Sequence, residues 1–139
     1  MSERAPFRTA ARISFDEADP AGILFYGHVF SLAHRAFEEM LADAGIPWPE
    51  WFASATWTIP ITHADAIYHA PLPAGRTADI TVGIAEMRES GFSVATTFSL
   101  DGTECARVTT IHVFVDLATR TKRSIPEAFR AKLSAQQGA

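Results

Sequence analysis

One stretch of about twenty residues decides which folds are open to this chain. From about Phe25 to Ala44 the apolar residues Phe30, Ala33, Phe37, Met40, Leu41 and Ala44 recur at spacings of 3, 4, 7 and 11, which sets them on one face of an α-helix. Gly45 supplies a C-terminal stop, and Pro47 and Pro49 forbid continuation, so the helix ends near Ala44. A lone long helix must bury its apolar face against something other than a second helix of its size.

The rest of the sequence supplies a sheet for it. Phe7 to Phe15 reads as a strand running into the acidic cluster Asp16, Glu17 and Asp19 and the turn Pro20-Ala21-Gly22. Trp48 to Ser54 is aromatic and turn-rich. Trp57 to Ile61 and Asp65 to His69 read as short strands or extended segments, closed off by Pro71, Pro73 and Gly75. Thr77 to Glu86, Phe92 to Leu100 and Glu104 to Asp116 are rich in Val, Ile, Thr and Phe, and turns at Glu89-Ser90-Gly91 and Asp101-Gly102 make them consecutive antiparallel strands. A second, shorter helix is predicted after Pro126 at the N1 position, through Glu127, Phe129 and Leu133, before a polar tail. The predicted class is α+β, an antiparallel sheet wrapped around one long central helix. Open edges on such a sheet predict a homo-oligomer, a dimer or tetramer.

At 139 residues the protein is expected to be one domain spanning 1–139. A net charge of −4 supplies no basic field for nucleic acid or an anionic membrane, so neither is expected as a partner. No run approaches the ~18 apolar residues of a membrane span, and Met1 to Ala10 carries two Arg and no apolar leader core, so the expected compartment is cytoplasmic. Cys105 is the only cysteine, which excludes an internal disulfide and a cysteine-rich metal cage; its alternating surroundings predict a packed thiol.

The chemistry points to Asp19–Tyr26, where a carboxylate and a tight turn meet the start of the helix. First-turn N–H groups lack intrahelical partners and carry the positive end of the macrodipole, so they can bind a polarised carbonyl oxygen. A carboxylate beside them could attack that carbonyl or draw a proton from water. Taken by itself, Asp19 reads first as the start of a turn or as a cap, and as a catalyst only with further support.

That support is a resemblance. Phe15-Asp16-Glu17-Ala18-Asp19-Pro20-Ala21-Gly22-Ile23-Leu24-Phe25-Tyr26 is similar to the signature of the 4-hydroxybenzoyl-CoA thioesterase family of hotdog folds: an aromatic, variable residues, Asp-Pro-Ala-Gly, apolar residues and Tyr. The likeness extends through His34-Arg35-Ala36-Phe37-Glu38-Glu39-Met40-Leu41, Pro60 and Ile61, and Ile125-Pro126-Glu127, and covers most of the sequence. The helix stretch with His34 and Glu38 resembles a branch that hydrolyses 1,4-dihydroxy-2-naphthoyl-CoA, whereas the intact Asp-Pro-Ala-Gly is closer to the 4-hydroxybenzoyl branch. The resemblance implies a hotdog fold and hydrolysis of an acyl-CoA with an aryl or similarly bulky acyl group. Coenzyme A would arrive as part of the substrate, with no separate cofactor. It implies Asp19 as nucleophile or general base and the Tyr26 backbone N–H as the group that polarises the thioester carbonyl, with Gly22 and Gly27 permitting close backbone approach.

Other candidates are weighed against plainer roles. His34 and Glu38 share a helix face, which suits an ion pair better than a metal without a third ligand. His63, His69 and His112 show no ligand spacing, so no metal is expected. Thr62 or His63 could approach the acyl group, or simply pack. Arg88 and the cluster Arg120, Lys122 and Arg123 could pair with coenzyme A phosphates or form a solvated loop. The resemblance implies nucleotide binding at the surface between subunits, although Glu89 and Ser90 stand where the 4-hydroxybenzoyl branch is more basic. Trp48, Trp51, Phe52 and Trp57 could line an aryl pocket, though such clusters are more often core. A hotdog hydratase using His28 with Glu38 or Glu39 is the rival enzyme, and its His-x-x-Gly-His-Pro style loop is missing. A non-catalytic acyl-binding module is the other rival.

Overall fold

The computed structural model describes residues 6–137. Part of the leader and tail expectations therefore falls on residues 1–5 and 138–139, outside the described residues. Strands β1 (Phe7–Arg12), β3 (Ile61–Tyr68), β4 (Thr77–Met87), β5 (Gly91–Leu100) and β6 (Thr103–Val113) form one antiparallel sheet in the order β1-β4-β5-β6-β3. Strands β2 (Trp57–Thr58) and β7 (Val115–Asp116) pair separately as a small ribbon.

Helix α1 (His28–Asp43) runs for 16 residues, close to the predicted span. Its buried face comprises Val29, Leu32, Ala33, Ala36, Phe37, Met40 and Leu41, and its sheet contacts concentrate on β1, β4, β5 and β6. The inner rows of the sheet alternate as the pleat demands: Ala78, Ile80, Val82 and Ile84 on β4, Phe92, Val94 and Phe98 on β5, Ala106 and Val108 on β6, all buried. Cys105 is buried, as its surroundings predict. Removing one of the large residues, for example Phe98 to Ala, would cost about 3–5 kcal/mol.

Local details differ from the sequence reading. The first strand ends at Arg12 and a 3-10 turn takes Phe15–Glu17. Residues Trp48–Phe52 form a short helix, α2, because Pro47 and Pro49 act as helix starters there rather than only as stops to α1. Pro126 is the N-cap of α3 (Glu127–Ser134), one position earlier than predicted, with extended ψ of 136°.

The two sheet edges are unlike. On β3 all residues except Ala66 are exposed, including Ile61, Ile67 and Tyr68. This strand is paired only with β6 and lies at the open end of the layer that α1 covers.

Candidate active site

The Asp19 carboxylate is held by its own turn. Its Oδ1 accepts from the N–H of Ala21 at 2.8 Å and of Ile23 at 3.4 Å, while its backbone carbonyl accepts from Gly22 N–H at 2.9 Å. Gly22 has φ of +79°, a left-handed conformation that explains a glycine at this position. Both readings of Asp19 therefore coexist: one oxygen caps the turn, and Oδ2 has no protein donor among the described residues. A carboxylate fixed through one oxygen presents the other in a defined direction.

The backbone is then stitched into place. Leu24 N–H donates to Leu72 C=O at 2.8 Å, Ala74 N–H to Gly22 C=O at 2.9 Å, and Phe25 N–H to Glu17 C=O at 2.8 Å. His28 N–H donates to Phe25 C=O at 2.9 Å, and Gly27 already has helical angles (φ −70°, ψ −26°), so the helical path begins one turn before His28. Among the described residues the N–H groups of Tyr26 and Gly27 donate to no protein acceptor. They are the orphan donors of a helix start. The Phe25 ring lies against Gly27, 3.2 Å from where a Cβ would stand, so even alanine there would crowd it.

Asp19 and Tyr26 line one cavity of about 540 Å³ together with Ile23, Leu24, Tyr68 and His69. Neither Tyr68 nor His69 stands out as a site residue in the sequence. The Tyr68 hydroxyl donates to the backbone carbonyl of Tyr26 at 2.5 Å, across 42 residues of sequence. Burial, and then the neighbouring Tyr26, raise the Tyr68 pKa, which keeps the hydroxyl protonated as a donor. His69 pairs with Glu104 at 3.0 Å. Glu17, the other acidic candidate, accepts from Ser14 N–H at 2.8 Å and faces Arg35 at 3.8 Å, so it braces the turn.

The remaining candidates fall into separate groups. Thr62, Arg88 and Lys122 line a second groove of about 400 Å³, with Glu86, Glu89 and Ser90. Arg88 donates to Glu86 at 2.8 Å, and that bond raises its pKa. Arg120 and Arg123 lie outside the lining of this groove. Arg120 has φ of +61° in the turn after β7 and is exposed. Arg123 packs 5.2 Å over the Trp57 ring and faces Asp116 at 3.8 Å, so its charge is already engaged. His34 lies 3.8 Å from Glu38, the ion pair that helix spacing suggests. Trp51 is core, packed on Phe37, Phe92, Phe114 and Phe129, whereas Trp48 donates to Glu38 at 3.2 Å. Among the described residues no three His, Cys, Asp or Glu converge where a metal could sit.

The sequence pattern of the thioesterase-like superfamily matches residues 13–133, which takes in the Asp19 turn and all but the last residue of α3. The protein belongs to that superfamily. Within it, the sequence is 30% identical over 116 residues to a 1,4-dihydroxy-2-naphthoyl-CoA hydrolase of Crocosphaera subtropica, covering 81% of this chain and 85% of that one. It is 27% identical over 130 residues to the enzyme of the same name from Thermosynechococcus vestitus, covering 92% and 89%. Solved thioesterases share the fold. A 1,4-dihydroxy-2-naphthoyl-CoA thioesterase from Synechocystis superposes with a TM-score of 0.85 at 20% identity, over 92% of this chain and 95% of that one. A gentisyl-coenzyme A thioesterase superposes with a TM-score of 0.80 at 24% identity, over 92% and 99%.

Proposed function

We propose that this thioesterase-like protein hydrolyses an aryl acyl-CoA to the free acid and coenzyme A, with Asp19 as nucleophile or general base and the Tyr26 N–H polarising the thioester carbonyl. The observation that carries the reading is the shared cavity, in which a carboxylate with one free oxygen stands with an unpartnered N–H at a helix start. A donor already in place when negative charge develops on the carbonyl oxygen needs no reorganisation, and losing one such donor typically costs on the order of 10² to 10³ in turnover. Two routes use the same groups. In one, Asp19 Oδ2 attacks the carbonyl carbon, the thiolate of coenzyme A departs, and water hydrolyses the resulting anhydride. In the other, Asp19 takes a proton from the water that attacks.

The open β3 edge supports a dimer. The Thr62 end of β3 borders the groove of Arg88 and Lys122, and its Tyr68 end borders the Asp19 cavity. Antiparallel pairing of two β3 edges about a two-fold axis brings the Thr62 end of one protomer beside the Tyr68 end of its partner. The nucleotide end of the substrate would then lie along the partner's groove while the thioester reaches Asp19, and pairs of dimers would give the tetramer. In this reading the sheet wraps α1 as in other hotdog folds, and residues 1–139 act as one domain in the cytoplasm. Coenzyme A belongs to the substrate, and no cofactor is needed.

The test is release of free thiol from a panel of benzoyl-, naphthoyl- and aliphatic CoA thioesters. The aryl esters should turn over fastest. Hydration of an enoyl-CoA with no thiol released from any ester would replace this function with the rival one.

A further inference from the structure

The chain enters α1 through a turn whose geometry is fixed by a few angles. His28 N–H closes it onto Phe25 C=O at 2.9 Å. Gly27 has φ −70° and ψ −26°, and Tyr26 is not among the residues with positive φ. Those values leave only a type I turn for Phe25–His28, which puts Tyr26 in the helical region as well. Successive N–H groups in that conformation project side by side from the helix start. Neither the Tyr26 nor the Gly27 N–H donates to a protein acceptor among the described residues.

Each of these N–H groups belongs to a peptide that is held through its oxygen. The peptide carrying the Tyr26 N–H has its oxygen on Phe25, where His28 N–H donates. The peptide carrying the Gly27 N–H has its oxygen on Tyr26, and among the described residues that oxygen accepts from no backbone N–H. Its donor is the Tyr68 hydroxyl at 2.5 Å, reaching across from the last residue of β3. Tyr68 is 45% exposed, so its hydroxyl has water within reach and is not driven to this carbonyl by burial. A hydrogen bond on a peptide oxygen fixes the plane of the peptide and strengthens its N–H as a donor.

We propose that Tyr68 is a positioning residue for the reaction: by holding the Tyr26 carbonyl it fixes the next peptide, so that the Gly27 N–H stands beside the Tyr26 N–H as a second donor to the thioester carbonyl oxygen. The inference rests on the thioesterase reading and adds to it a donor and the side chain that aims it. Two parallel donors share the charge that develops on the oxygen, and a donor already aimed needs no reorganisation as the reaction proceeds. The Phe25 ring against Gly27 leaves no room for a side chain at this position, which keeps the second N–H uncovered.

The experiment compares the wild type with Tyr68→Phe, which keeps the ring and removes the hydroxyl. On benzoyl-CoA kcat should fall by about 3- to 10-fold while KM stays within about twofold. Two unreactive ligands then separate positioning from contact: benzoylmethyl-CoA, a ketone that cannot release thiol, and 2-phenylethyl-CoA, which has no carbonyl. The variant should bind the ketone about 3- to 10-fold more weakly and the carbonyl-free ligand within about twofold of the wild type. In isotope-edited infrared spectra the ketone stretch should lie below its value in water on the wild type, and move back toward that value on Tyr68→Phe. Equal stretches on the two proteins, or equal weakening of both ligands with a raised KM, overturn the proposal. Replacing Gly27 by glycolic acid turns the peptide into an ester without the N–H, and should lower kcat by about 10². It carries the test if Tyr68→Phe fails to fold, and an unchanged kcat overturns the second donor. Should the wild type release no thiol from any ester, the thioesterase reading fails by itself. Ketone binding that is weakened selectively in Tyr68→Phe then upholds the positioning role, and absent ketone binding overturns it.

Discussion

Acidification from pH 7.5 to 5.0 should weaken the folded state by about 2 kcal/mol through His112 alone. Its pKa falls from an ordinary 6.5 to about 3 in the folded protein, mainly through burial. Between those values the unfolded state binds a proton that the folded state refuses, so stability declines as pH falls. The loss begins as pH passes down through 6.5 and is complete only below 3. At pH 5.0 the unfolded imidazole is almost fully protonated and the folded one almost not at all, a difference of about 1.5 pH units at 1.36 kcal/mol each. Urea unfolding at pH 7.5, 6.0 and 5.0 on the wild type and on His112→Gln measures it. Every other titratable group is common to both proteins, and only the smaller coupling of His34 to His112 differs between them. The variant loses the stacking on Phe92 and is less stable at every pH, so the quantity to read is the change with pH. The wild type should lose about 2 kcal/mol more than the variant. Equal losses in the two proteins would show that His112 is not held neutral.

Three further outcomes are expected. Tyr68→Phe removes the donor to the Tyr26 carbonyl and should lower kcat by about 3- to 10-fold with KM and melting temperature little changed, measured by steady-state kinetics and calorimetry. Gly91→Ala would put a Cβ 2.5 Å from the carbonyl oxygen of His112 and should cost about 1–3 kcal/mol of stability in urea unfolding. Ile67→Lys places a charge on the exposed β3 edge, where two-fold pairing brings two copies together, so sedimentation should show a shift toward monomer.

Much of the fold was legible because it follows from periodicity. The spacing of Phe30, Phe37 and Met40 marks α1 to within three residues at its start, and the Val- and Thr-rich runs mark β4, β5 and β6. Where proline governed, the reading slipped. Pro47 and Pro49 end one helix and start another, and local rules do not say which role prevails. The Asp19 turn was legible as a motif, and Thr62, Arg88 and Lys122, all candidates from the sequence, meet in one groove. Arg123 is a candidate beside them, but its approach to Trp57 comes from packing across 66 residues, which no spacing encodes. Tyr68 and His69 escaped for the same reason: their place in the Asp19 cavity is set by where β3 ends in the sheet. His112 could be seen only as a histidine in a strand, since its burial depends on Phe37 of α1 and Phe92 of β5 packing against it.

In the proposed reaction the Asp19 carboxylate performs the chemistry. Asp19→Asn keeps the shape and leaves an amide oxygen to accept the turn hydrogen bonds from Ala21 and Ile23, but it removes both nucleophile and base. Thiol release from the best aryl-CoA ester should fall by about 10² or more, while the melting temperature stays close to that of the wild type. Turnover near the wild-type rate by a folded Asp19→Asn protein would contradict the account.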